Sequence, residues 1–178
     1  MNKFIPCLLL AVISQSAFAE HENYIGLGGA YVEYDDGRSG SVDMGAVVLS
    51  FGRDYNEKVA FETRFGASLT RRNFDSSTIA PDGTVEARRD LDYLAGLYVK
   101  LSPFESFISP YAVGGYSIAR TSLSYLDVHE TQKEHSMSLG VGLDLCGSAY
   151  CGKLEAMRYI NDRENVLDAF SVSLAYRY

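Results

Sequence analysis

Acid–base and nucleophilic chemistry need a short list of side chains, and this 178-residue sequence places few of them close together. Its three histidines are His21, His129 and His135. Only His135 has a hydroxyl beside it, Ser136, and with Glu130 and Glu134 just upstream this stretch alone offers the base, nucleophile and carboxylate of an acyl-transfer site. Adjacent residues of an extended segment point to opposite faces, which keeps His135 and Ser136 apart and makes the stretch a polar loop end. Cys146 and Cys151 flank the turn Gly147-Ser148-Ala149-Tyr150. No further His or Cys is close enough in sequence to complete a zinc site, so in an exported chain the pair is expected as a disulfide. Spacing supports no paired-carboxylate site, phosphate loop or metal cluster, and no cofactor or metal is expected.

The other chemistry-bearing residues are charges and a phenol set among small residues: Glu62, Arg64, Asp92, Tyr98, Lys100, Asp144 and Arg177. Their positions follow from a period of two. In residues 59–70, Val59, Phe61, Phe65, Ala67 and Leu69 form one face and Ala60, Glu62, Arg64, Gly66 and Ser68 the other. In 91–101, Leu91, Tyr93, Ala95, Leu97, Val99 and Leu101 oppose Asp92, Leu94, Gly96, Tyr98 and Lys100. Met137, Leu139, Val141, Leu143 and Leu145 oppose Ser138, Gly140, Gly142 and Asp144. At the C-terminus, Phe170, Val172, Leu174, Tyr176 and Tyr178 oppose Ser171, Ser173, Ala175 and Arg177.

Four further segments read as strands. Residues 23–34 place Ile25, Leu27 and Tyr31 outward with Gly26, Gly28 and Ala30 inward, and 44–52 place Val47, Leu49 and Phe51 outward. Residues 107–120 are compatible with either register. In 153–160, Leu154 and Ala156 favour one register as outward residues and Met157 with Tyr159 the other, which a β-bulge would reconcile. Eight strands, an even number, predict an all-β, closed antiparallel transmembrane β-barrel. The connections alternate: 53–58, 102–106 and 146–152 are short, whereas 35–41, 71–90, 121–134 and 161–165 are longer on average. Such a barrel has short periplasmic turns and longer extracellular loops.

A soluble lipocalin-type barrel would hold an apolar lumen under a polar exterior; the charges here fall on the face of small residues, the reverse arrangement. An eight-stranded barrel is only wide enough to be filled by its own side chains. Buried charges must then be compensated. If the strands flanking 71–90 pair symmetrically, Glu62 lies opposite Lys100 and Arg64 opposite Tyr98, with Asp144 and Arg177 able to join the same cluster. The lumen reads as a plug in preference to a pore.

Residues 1–19 have Lys3 at the start, the apolar run Cys7-Leu8-Leu9-Leu10-Ala11-Val12-Ile13 and the small-residue pattern Ala17-Phe18-Ala19, as a cleaved secretory signal peptide does. The run is too short for a membrane helix. The mature chain, 20–178, would retain 15 basic and 23 acidic residues, a net charge of about −8 that excludes nucleic acid as a natural partner.

Over residues 20–178 this pattern resembles the small eight-stranded outer-membrane barrels of the OmpA/OmpX and opacity type. The resemblance rests on the leader, the strand count, the lumen charges, the first strand Tyr24-Ile25-Gly26-Leu27-Gly28-Gly29-Ala30-Tyr31 and the terminal Tyr176-Arg177-Tyr178. It implies location in the outer membrane of a Gram-negative bacterium, contact with outer-membrane lipid and lipopolysaccharide, and a terminal strand (Phe170, Val172, Leu174, Tyr176, Tyr178) read by the barrel assembly machinery. With no stretch beyond Tyr178 resembling a peptidoglycan-binding domain, it implies a role in surface binding, adhesion or envelope integrity through the loops, toward a ligand the residues do not identify. Arg71, Arg72, Arg88 and Arg89 bracket the loop at 71–90. They either bind lipopolysaccharide phosphates or pair with Asp75, Asp82, Glu86 and Asp90. Lipid A deacylation, as some small barrels perform with a His, a Ser and an acid, is the alternative activity and would fall to His135 and Ser136; a narrow porin is the other.

Overall fold

The computed structural model describes residues 23–35, 41–69, 72–75, 86–104, 106–125, 128–161 and 165–178. The expected signal peptide, His21 and Arg71 lie outside the described residues. Nine strand segments run in chain order: β1 Asn23–Asp35, β2 Ser41–Asn56, β3 Val59–Ser68, β4 Arg72–Asp75, β5 Glu86–Leu101, β6 Ile108–Tyr125, β7 Val128–Cys146, β8 Tyr150–Asn161 and β9 Val166–Arg177. Each strand pairs antiparallel with its sequence neighbour. β1 pairs with β9, and β3 pairs with β5, so the sheet closes on itself. The short β4 continues the line of β3 against the first residues of β5, leaving eight strands around the barrel.

Period-two patterning translates directly into an inner and an outer wall. On β7 the outward Met137, Leu139 and Val141 are exposed while Ser138 and Asp144 are buried, and β9 places Phe170, Val172, Leu174 and Tyr176 outside with Ala175 inside. Closure abolishes free edges along the paired length and leaves the backbone donors satisfied, the condition for strands surrounded by hydrocarbon. At the end where the termini meet, Asn23 N–H donates to the Tyr178 carbonyl and Tyr178 N–H to that of Asn23. The widest gap between consecutive strands, between β4 and β5, lies at the other end.

Four expectations are corrected and two open registers are settled. Segment 121–134 is not a loop: β6 and β7 continue through it, paired from Ile108↔Leu145 to Tyr125↔Val128, with residues 126–127 outside the described set. The feet of the expected loop at 71–90 are likewise strand, since Arg72–Asp75 pairs with 86–89. A register shift between Leu91 and Tyr93 on β5 turns Leu91 inward and Asp92 outward, against their expected faces. On β8, whose register the sequence leaves open, Met157 and Tyr159 point into the lumen, in phase with Cys151, Lys153 and Glu155, and a bulge does occur, at Tyr159, between Arg158 and Ile160. The lumen is also not polar throughout, because Val32, Tyr34, Met44, Leu91, Ile160 and Leu167 fill its loop half as an apolar core. The open register of β6 is settled with Ser109, Tyr111, Val113, Ser117 and Ala119 inward.

Candidate functional site

In the turn half of the lumen, six charged side chains from four strands meet. Glu62 and Arg64 sit two residues apart on the inner face of β3, and Lys100, Asp144, Lys153 and Glu155 reach them from β5, β7 and β8. Arg64 is the hub: its Nε donates to Glu62, its Nη1 to Glu155 Oε1, and its Nη2 to Glu155 Oε2 at 2.8 Å, a two-pronged clamp on one carboxylate. Lys153 Nζ reaches Glu62 Oε2 at 3.1 Å and Lys100 Nζ reaches Asp144 Oδ2 at 2.8 Å. Three cations therefore face three anions, which removes the penalty of isolated buried charge.

Tyrosines complete the cluster. Tyr24 hydroxyl donates to Glu62 at 2.6 Å and Tyr111 hydroxyl to Glu155 at 2.9 Å, while Lys153 Nζ lies 4.2 Å from the Tyr24 ring centre. The rings fit because glycine stands opposite each of them. Tyr24 pairs with Gly52 and Tyr111 with Gly142 across the ladder, and a Cβ on either glycine would collide with the ring. Beside the cluster, between Ser50, Ser171 and Ser173, a cavity of about 20 Å³ has room for about one water. The apolar layer above it and the ion-paired layer below it make the inner wall two plugs in series.

Each residue of the expected lumen network has a definite place. Glu62, Arg64, Tyr98, Lys100 and Asp144 are all buried in the lumen. Their expected cross-strand partners are displaced by one pair of residues, since Glu62 lies opposite Tyr98, Arg64 opposite Gly96 and Lys100 opposite Ala60. Asp92 is outside the barrel, where it meets Arg120 Nε at 3.2 Å and accepts from Ser122. Arg177 does not join Asp144; it sits half-buried at the turn-end rim, 3.8 Å from Asp54. Lys153, Glu155, Tyr24, Tyr111 and Tyr159 were not anticipated. The signal for the β8 residues was present, because Cys151, Lys153, Glu155, Met157 and Tyr159 are in phase; the apolar character of Met157 and Tyr159, which suits either face, obscured it.

His135 and Ser136 are held on opposite walls. The imidazole is exposed outside, stacked against Tyr116 at 6.0 Å between centroids, whereas Ser136 Oγ is engaged by its own strand and by the Asn161 N–H. Glu134 turns inward and accepts from Tyr34 at 2.8 Å. No triad geometry arises. Cys146 and Cys151 stand directly opposite each other across the β7–β8 hairpin and form a disulfide. Arg72 pairs opposite Arg89 and Asn73 opposite Arg88 in the ladder above the lumen; their side chains lie outside the described set. Among the described residues no group of His, Cys, Asp and Glu forms a metal site.

Residues 5–145 match the family described as outer membrane protein beta-barrel domain. A search of curated proteins finds no sequence match. Among solved structures, the chain is similar to Ail, the attachment invasion locus protein of Yersinia pestis (TM-score 0.66, 15% identity, covering 90% of this chain and 100% of that one). It is similar also to Neisserial surface protein A (TM-score 0.66, 13% identity, 88% and 97%) and to the N-terminal β-barrel domain of Pseudomonas aeruginosa OprF (TM-score 0.60, 12% identity, 89% and 100%). Ail has also been crystallised with the heparin analogue sucrose octasulfate. At these identities the likeness concerns the fold.

Proposed function

Because the chain belongs to the outer membrane protein beta-barrel family, we propose that it works at the cell surface through its extracellular strands and loops, in adhesion or envelope integrity, with the barrel as a closed scaffold. Its place is the Gram-negative outer membrane; in this reading the turn end faces the periplasm and the opposite end the outside. The observation that carries the reading is the filled lumen: a balanced ion cluster below, an apolar layer above and a cavity of about 20 Å³ beside them leave little room for a diffusing solute. The extended β6–β7 hairpin and the segment joining β4 to β5 are then the parts proposed to meet a partner, as connections on a rigid scaffold commonly do. Ail, an attachment protein of similar fold, is the neighbour whose role this reading follows. Arg71, Arg72, Arg88 and Arg89, at the base of the β4–β5 loop, are proposed to contact lipopolysaccharide phosphate.

The test pairs two measurements. Replacing residues 76–85 by a short turn should leave a folded, heat-modifiable barrel while reducing adherence of expressing cells to epithelial monolayers. Planar-bilayer recordings of the unaltered protein should show no steady conductance. Large stable channels would favour a porin. A His135→Ala variant that changes the lipid A acyl pattern by mass spectrometry would favour the enzyme.

A further inference from the structure

We propose that the outer wall of the barrel binds a lipid-borne phosphate at Arg120 and Lys133. These residues stand directly opposite each other on β6 and β7, both on the outward face. Two like charges at directly opposed positions of an antiparallel pair destabilise the ladder unless an anion sits between them. Arg120 has one carboxylate neighbour, Asp92, nearest at Nε (3.2 Å). Among the described residues, Arg120 Nε has no hydrogen-bond partner, and no ion pair engages the Lys133 ammonium. Among the described residues a further outward arginine is different: Arg158 is already satisfied, its Nε and Nη2 both at 2.7 Å from the two Asp168 oxygens.

Height along the wall identifies the kind of anion. The outward residues of β6 are apolar or small from Ile108 to Ile118, and those of β7 are apolar from Leu145 to Met137. Ten residues of strand rise about 34 Å and, tilted by about 45°, span about 24 Å, close to the ~25 Å apolar band of an outer-membrane barrel. Arg120 is the next outward residue above Ile118, and Lys133 lies one outward position above His135. The cation pair is therefore at the level of outer-leaflet headgroups. Thr131, opposite Ser122 and one step higher, exposes a further hydroxyl. Below, Ala112, Gly114, Leu139 and Val141 line the apolar part of a trough of about 970 Å³ on the same wall, whose far side carries Glu33, Arg158 and Asp168. Cations above an apolar trough match a phosphorylated lipid, with its phosphate between Arg120 and Lys133 and an acyl chain along the trough. A guanidinium fork beside an ammonium suits a phosphate monoester.

The test uses the full folded chain in phosphatidylcholine nanodiscs, with bisphosphorylated lipid A as the probe and native mass spectrometry counting retained lipid. The unaltered protein should retain lipid A in preference to its enzymatically dephosphorylated form. Arg120→Gln with Lys133→Gln should lose about tenfold or more in retention, as expected when charge-assisted hydrogen bonds are removed. The charge-conserving Arg120→Lys with Lys133→Arg should keep most of it, and Arg158→Gln should match the unaltered protein. Gel mobility of the folded form verifies that each variant is a barrel. Equal retention by the double glutamine variant, or equal retention of dephosphorylated lipid, would overturn the proposal. So would displacement of lipid A by equimolar inorganic phosphate, which would make this a free-phosphate site. If Lys133→Gln promotes self-association and leaves lipid retention unchanged, the lysine merely protects a strand edge, and the assignment fails.

Discussion

Removing the Lys100 ammonium is the sharpest probe of the lumen. Lys100→Met preserves the length and most of the volume of the stem while taking away the charge, so the effect reports on the partner left behind. That partner is Asp144, which is buried and whose Oδ2 is held by Lys100 at 2.8 Å; its Oδ1 has no hydrogen-bond partner among the described residues. At 2.8 Å and an effective dielectric of about 20, the gross attraction is about 6 kcal/mol. Desolvation of both groups offsets part of it, and breaking a buried pair from one side leaves a loss of 3–5 kcal/mol as a general range. Asp144 lies in the turn half and can recover some solvation from the mouth, so about 3 kcal/mol is expected. Asp144→Asn should lose less, about 2 kcal/mol, because the Tyr24 and Tyr111 rings, 5.4 and 5.2 Å from Lys100 Nζ, still face the cation. Joining Lys100→Met with Asp144→Leu should bring stability back close to that of the unaltered protein. The chain has no tryptophan, so urea unfolding in lipid vesicles would be followed by circular dichroism and gel mobility. A single variant within about 0.5 kcal/mol of the unaltered protein, the scatter of ordinary surface changes, would refute the stranded-charge reasoning. A double variant as unstable as the sum of its parts would do the same.

Tyr178→Asp should lower the amount of folded protein in the outer membrane and leave chain in the periplasm, measured by fractionation, because it places a charge on the exposed aromatic end of the strand that closes the barrel; unchanged levels would count against a role in assembly. Replacing both Cys146 and Cys151 by Ser opens a six-residue loop, for which chain entropy predicts a loss of about 2 kcal/mol, readable as a lower urea midpoint that reducing agent does not lower further. Gly142→Val should destabilise by about 1–3 kcal/mol because its side chain enters the space of the Tyr111 ring, and combining it with Tyr111→Ala should soften the loss; an additive double variant would argue against that contact.

Alternation alone determined which residues of β1, β3, β7 and β9 face lipid and which face inward, because side-chain direction in a strand has a local period of two and every apolar face must find a surface that accepts it. The same local logic placed Glu62, Arg64, Lys100 and Asp144 in the lumen and Cys146 opposite Cys151 across a short turn. Partner choice was beyond its reach. Arg64 clamps Glu155 and Lys153 meets Glu62 across 91 residues of sequence, and those pairings exist only because closure through β1–β9 and β3–β5 sets where each strand stands on the ring. Single-residue irregularities were equally invisible: one register shift at Asp92 sent a carboxylate outside and drew Leu91 in, since a slip of one residue exchanges faces. Packing decided the fate of Met157 and Tyr159. The narrow lumen must be filled, and in its loop half apolar side chains fill it without needing partners, so residues that look lipid-facing in sequence are buried in the core of the barrel.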